Sequence, residues 1–104
     1  MFDHASGMRP TAPPEAALVY KTVGPFRGAE IPKGLLSEHR LKEDVWGRVT
    51  VVEGQLLFVW DDAQGGTAAL ESPAQMIVPP TVPHHLEQTE TAVITVDFLR
   101  IENS

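Results

Sequence analysis

The sequence predicts an all-β protein, an antiparallel barrel or sandwich of short strands, and three observations carry that prediction. Turn residues recur at short intervals, at Gly24-Pro25, Pro32-Lys33-Gly34, Glu43-Asp44, Glu53-Gly54, Gln64-Gly65-Gly66, Ser72-Pro73 and Pro79-Pro80. The apolar stretches between them are short and rich in β-branched residues, as in Val49-Thr50-Val51-Val52 and Val93-Ile94-Thr95-Val96. No long apolar pattern with helical period interrupts them; the best helical candidate, Pro13 to Leu18, is too short to anchor a fold.

Taken in order, strands are expected over Ala17 to Val23, Leu35 to Leu41, Val45 to Val52, Gln55 to Trp60, Thr67 to Leu70, Gln75 to Val78, His84 to Glu87 and Ala92 to Ile101. Glu53-Gly54 joins two strong strands with almost nothing between them, which reads as a tight hairpin with Gly54 at positive φ. The rigid run Pro79-Pro80-Thr81-Val82-Pro83 fixes the entry of the strand that opens at His84. Met1 to Pro14, rich in Pro, Gly, Ser and Thr, reads as a loose arm, and residues 15–101 as one domain.

Composition narrows the function. A chain of 104 residues holds one core. Its 14 Asp and Glu outnumber 8 Lys and Arg, a formal charge of -6, which argues against a nucleic-acid partner and against an anionic membrane surface. There is no cysteine, so disulfides and thiolate metal sites are excluded. No apolar run approaches the roughly 20 residues of a membrane span. Met1 to Pro14 lacks the basic start and apolar centre of a signal peptide, and a cytoplasmic location is expected. A barrel with an exposed apolar sheet edge gains burial by pairing, so a homodimer is expected.

Chemistry centres on the histidines, His4, His39, His84 and His85. His4 falls in the arm. In a strand from Leu35, alternation puts Ser37, His39 and Leu41 on one face; in the strand from His84, it puts His84 and Leu86 on one face and His85 and Glu87 on the other. A histidine on a half-buried strand is often a hydrogen-bonded core residue. Trp46 and Trp60 read as core or rim aromatics, Lys42 as a solvated cation or an anion contact at the barrel mouth, and Asp61-Asp62 as a strand cap.

The stretch from Gly34 through His39, Lys42 and Trp46-Gly47 to Glu53-Gly54 resembles the first cupin motif, and Pro79 to Glu87 followed by Val96-Asp97-Phe98-Leu99-Arg100 resembles the second. More narrowly, residues 19–100 resemble the small cupin family related to the N-terminal domain of tellurite-resistance protein B. The resemblance implies a cupin-type antiparallel β-barrel, a double-stranded jelly roll. It also implies metal ligands: His39 matches the first histidine of the first motif and His84 the histidine of the second. Leu41 stands where the second histidine would be, Gly47 near the usual glutamate, and Thr81 in place of a glycine. Glu87 is similar in position to a glutamate of the narrower family and is the candidate third ligand, although alternation turns it from His84, so a bulge is needed to bring it to the same ion. Glu38, beside His39, and Asp97, on the last strand, are the other carboxylates considered.

The expected function is therefore a small metal-binding cupin of the tellurite-resistance or stress-response type. It would hold a divalent ion (zinc, nickel or iron) on His39, His84 and Glu87, together with a small molecule. The alternative is a metal-free cupin that binds a small molecule or oxyanion, with His39, Lys42 and His84 as hydrogen-bond donors. A third reading is an oligomerising module plugged by Trp46, Phe58 and Leu86. The residues assign no reaction.

Overall fold

The computed structural model describes residues 9–102. Seven strands follow in chain order: β1 (Ala17–Arg27), β2 (Trp46–Glu53), β3 (Gln55–Trp60), β4 (Thr67–Glu71), β5 (Ala74–Val78), β6 (His84–Glu87) and β7 (Val93–Ile101). They form two antiparallel sheets, one ordered β1-β7-β2-β5 and the other β4-β3-β6. The only helical turns among the described residues are two short 3-10 segments, Gly28–Glu30 and Lys33–Leu36. No described helix is long and apolar enough to cross a membrane.

The core lies between the sheets. Alternate residues point inward: Val49 and Val51 from β2, Leu56, Phe58 and Trp60 from β3, Leu86 from β6, Ile94 and Val96 from β7. Phe58, Ile94, Val51 and Val78 are fully buried, and each contributes about 1.5–3 kcal/mol through apolar area removed from water.

Three expectations are corrected. Leu35 to Leu41 is not a strand: its start belongs to the turn Lys33–Leu36, and its only ladder contact is one isolated bridge from His39 to His84. Pro32 and Gly34 favour that turn, and beyond it the segment meets the edge strand β6 only at His84. The strand expected from Ala17 does begin there, where Ala17 pairs with Ile101, so the short helical candidate Pro13 to Leu18 forms no helix. Gly24-Pro25 does not end β1, because the strand passes through it on a register shift between Val23 and Phe26. Gly24 makes this possible: at φ +98, an added Cβ would lie 2.8 Å from the Ile94 carbonyl oxygen.

Glu53-Gly54 is a corner rather than a hairpin. β2 pairs with β5 and β7, whereas β3 pairs with β4 and β6, so the chain changes sheets at Gly54. Gly54 has the expected positive φ of +72, and an added Cβ would meet the Thr91 carbonyl oxygen. Ser72-Pro73 makes the return crossing beside it, with the Ser72 N–H donating to the Gly54 carbonyl at 2.9 Å.

Of the expected arm, the first eight residues, His4 included, lie outside the described residues. Arg9 is anchored. Its guanidinium makes two 2.9 Å hydrogen bonds to the Asp62 carboxylate and sits 3.9 Å from the centre of the Trp60 ring. The Arg9 hydrogen bond holds the Asp62 pKa below its ordinary value.

Candidate functional site: a histidine pair on an apolar cavity

After the turn Lys33–Leu36 the chain runs to the start of β6. His39 and His84 exchange both backbone hydrogen bonds, at 3.0 and 2.9 Å, and the Thr81 N–H donates to the Leu41 carbonyl at 3.0 Å. The peptide from His39 to Leu41 is thereby stapled to the peptide from Thr81 to His84. Thr81, where the resemblance has glycine, adopts φ +65, the left-handed region that glycine favours. The two imidazoles meet at 4.2 Å between ring centres, tilted by 59°.

Each ring is held in one tautomer. The His39 Nδ1–H donates to the Ser37 carbonyl at 2.9 Å, and the His84 Nδ1–H donates to the Val82 carbonyl at 2.8 Å. A carbonyl oxygen only accepts, so Nδ1 carries the proton and, in the neutral ring, Nε2 carries the lone pair. Metal-binding histidines are commonly oriented by the same backbone contact. His84 is 4 % exposed and lies parallel to Phe58, with ring centres 5.4 Å apart. Burial holds its pKa down at about 4, against the opposing pull of the Val82 carbonyl, so the ring is neutral at physiological pH.

Both histidines line a cavity of about 150 Å³ whose other walls are apolar, among them Leu35, Leu86 and Phe98. Leu41 and Gly47, the two positions where the cupin resemblance has a histidine and a glutamate, are also in this wall. A Cβ added at Gly47 would lie 3.0 Å from the Leu41 Cδ1. Trp46 is only half-buried and outside the core cluster, so the interior is not plugged by Trp46, Phe58 and Leu86 together. A larger depression of about 400 Å³, lined by Gln55, Glu71 and Thr91 among others, contains no histidine.

The carboxylates lie elsewhere. Glu87 is exposed on the other face of β6, and its Oε2 is 2.7 Å from His85 Nε2. The opposite His85 nitrogen, Nδ1, is 2.6 Å from Asp61 Oδ2. The hydrogen bonds to Asp61 and then to Glu87 raise the His85 pKa. No bulge brings Glu87 round to His84: β6 pairs with β3 in unbroken register. Glu38 pairs with Arg40 at 3.6 Å, and Asp97 accepts from Arg48 and Thr22 on the face opposite Val96 and Phe98. Among the described residues, no three His, Asp or Glu side chains gather as a metal-ligand cluster. Sequence reading missed the Asp61–His85–Glu87 relay, although His85 and Glu87 at alternate positions of one strand were its local signal.

The fold and cavity define a small two-sheet antiparallel β protein with a paired-histidine pocket. Residues 21–96 match the TehB-like domain, and the chain belongs to the TehB-like family, the family related to tellurite-resistance protein B. Among solved structures it is similar to TehB from Haemophilus influenzae (TM-score 0.76, 21% identity, 84% of this chain and 32% of that one). The chain thus spans about a third of the length of TehB. It is also similar to a structural-genomics target from E. coli strain K12 (TM-score 0.78, 16% identity, 89% of this chain and 90% of that one). The FeII form of HppE is a third (TM-score 0.51, 22% identity, 65% of this chain and 36% of that one). No curated protein matches the chain.

Proposed function

We propose that this chain is a small cupin-type member of the tellurite-resistance family that binds a divalent ion and a small molecule in the cavity between His39 and His84. The observation that carries the reading is the pair of Nδ1 contacts: both Nδ1–H groups donate to backbone carbonyls, which leaves Nε2 of each ring as the nitrogen for an ion at the cavity that both rings line. Zinc, nickel or iron accepts two imidazoles. The fit is to two protein ligands, with Glu87 held by His85 on the far face. Water or the bound molecule would complete the coordination, and the ion would there act as a Lewis acid toward that molecule. The similarity to the FeII form of HppE agrees with an iron-compatible fold. A double-stranded jelly roll is the finer fold description in the same reading, and a homodimer on the free edge of β1, where Leu18 and Val19 stand exposed, the expected assembly.

A second reading has one observation in its favour: apart from the two imidazoles, the cavity wall is apolar. Without an ion, the same pocket would take a small molecule in contact with His39 and His84. Elemental analysis of untagged protein, wild type and His39→Ala, separates the two. The metal reading expects about one divalent ion per chain in the wild type and loss of it in the variant. A metal content near zero after loading, or one indifferent to the substitution, refutes it in favour of the metal-free pocket.

A further inference from the structure

The chain is acidic overall, yet half of its cations gather in one place. Of 8 Lys and Arg residues, Lys21, Arg40, Lys42 and Arg100 surround two aromatic rings, Tyr20 on β1 and Phe98 on β7. The Arg100 guanidinium lies 4.3 Å from the Tyr20 ring centre and the Lys21 ammonium 5.9 Å from that of Phe98. Arg40 and Lys42 line a groove of about 200 Å³ with Tyr20, Leu41 and Phe98. Two of these cations have weak, exposed carboxylate neighbours: Glu38 is 3.6 Å from Arg40, and Glu102 is 3.8 Å from Arg100. Lys21 and Lys42 have no carboxylate within ion-pair distance among the described residues. In a molecule of charge -6, such a concentration creates a local positive potential against the trend of the whole surface.

The groove also adjoins the histidine cavity. Leu41 and Phe98 belong to both, so the cations and the apolar chamber lie on either side of a shared wall. A chamber of about 150 Å³ accommodates a body the size of one benzene ring.

We infer that the groove is the anion subsite of the cavity, and that the ligand is a small organic anion. Its carboxylate or phosphate head lies against Lys42 and Arg40, and its apolar body passes Leu41 and Phe98 toward His84. The inference deepens the proposed function and rests on the cavity as a small-molecule site, but not on the presence of an ion. Lys42 and Arg40 supply charge at the entrance, where it speeds capture and selects anions. The apolar wall selects the body.

The test titrates benzoate, phenyl phosphate and the neutral isostere benzamide into the isotopically labelled protein and follows amide shifts. The variants are Lys42→Ala, Lys42→Glu and, to fill the chamber, Gly47→Leu. Lys42 is exposed, so its substitution leaves the core intact. The anions are expected to shift Leu41 and Phe98, and to bind about tenfold more tightly than benzamide. Lys42→Ala and added salt should weaken the anions and leave benzamide unchanged, Lys42→Glu should weaken the anions further, and Gly47→Leu should weaken all three. Benzoate against phenyl phosphate identifies the preferred head group. If benzamide binds as well as the anions, or Lys42→Glu has no effect on them, the subsite is refuted while the cavity reading stands. If none of the three binds, the inference fails even where the metal analysis succeeds.

Discussion

His39 and His84 are joined twice, by reciprocal backbone hydrogen bonds of 3.0 and 2.9 Å and by rings 4.2 Å apart. The backbone bridge holds the two Cα atoms opposite each other, and the Nδ1 hydrogen bonds to the Ser37 and Val82 carbonyls fix the direction of each ring. The histidine pair is therefore a structural clasp and a pocket wall at once.

The first prediction is a pH dependence of stability. The His84 pKa is about 4 in the folded protein, against 6.5 for an ordinary histidine. As pH falls, the unfolded chain takes up a proton first. The His84 contribution is therefore complete above about pH 6.5, lost progressively between 6.5 and 4, and levels off below. The full loss amounts to about 3 kcal/mol as an upper bound. His85 has the opposite sign: its raised pKa stabilises the fold below 6.5, and that contribution fades as pH rises through the folded value. Urea unfolding across this range should give a decline toward acid that is flattened in His84→Gln. An unchanged decline in that variant would assign the acid sensitivity to other groups.

Two backbone positions should respond oppositely. Gly54→Ala drives a Cβ into the Thr91 carbonyl at φ +72 and should cost about 3 kcal/mol. Thr81→Gly relieves a β-branched residue at φ +65 and should raise stability by about 1 kcal/mol. Thermal unfolding of the two variants checks both, and a destabilised Thr81→Gly would mean that the Thr81 hydroxyl, 2.6 Å from the Pro80 carbonyl oxygen, outweighs the strain.

The wall positions Leu41 and Gly47 invite a gain of function. A side chain at position 47 enters the chamber against the Leu41 Cδ1, 3.0 Å from its Cβ, and Leu41 must yield to it. Replacing both, as Leu41→His with Gly47→Glu, substitutes ligand atoms for the apolar wall at both positions and offers a third and fourth ligand beside His39 and His84. Divalent-ion affinity should rise at least about tenfold, measured by chelator competition. An affinity unchanged from wild type would mean that these two positions do not face the ion.

Most of the sheet framework was legible because its signals are local. Gln55 to Trp60 and His84 to Glu87 were bounded to the residue, since each has turn residues at its start and alternating or β-rich side chains within. The segment from Leu35 to Leu41 carried the same apolar signal, but strand structure needs a partner along its length, and only His84 was in position to pair with it. The Gly54 corner was read as a hairpin because a sequence shows that a turn is tight and not which strands flank it in space. Juxtaposition of His39 with His84 followed from the motif resemblance, whereas their tautomers depend on the Ser37 and Val82 carbonyls, which no side-chain pattern reports. Arg9 on Trp60 and Asp61 on His85 are contacts between distant residues and left no mark in local composition.

The most direct test of the histidine-pair account is X-ray absorption of the zinc- or nickel-loaded untagged protein, with His84→Ala as the control. The account predicts two imidazole nitrogens at about 2.0–2.1 Å from the ion, the remaining positions filled by light oxygen donors, and a loss of the imidazole signal in the variant. A spectrum without imidazole scattering, or one that His84→Ala leaves unchanged, would contradict it.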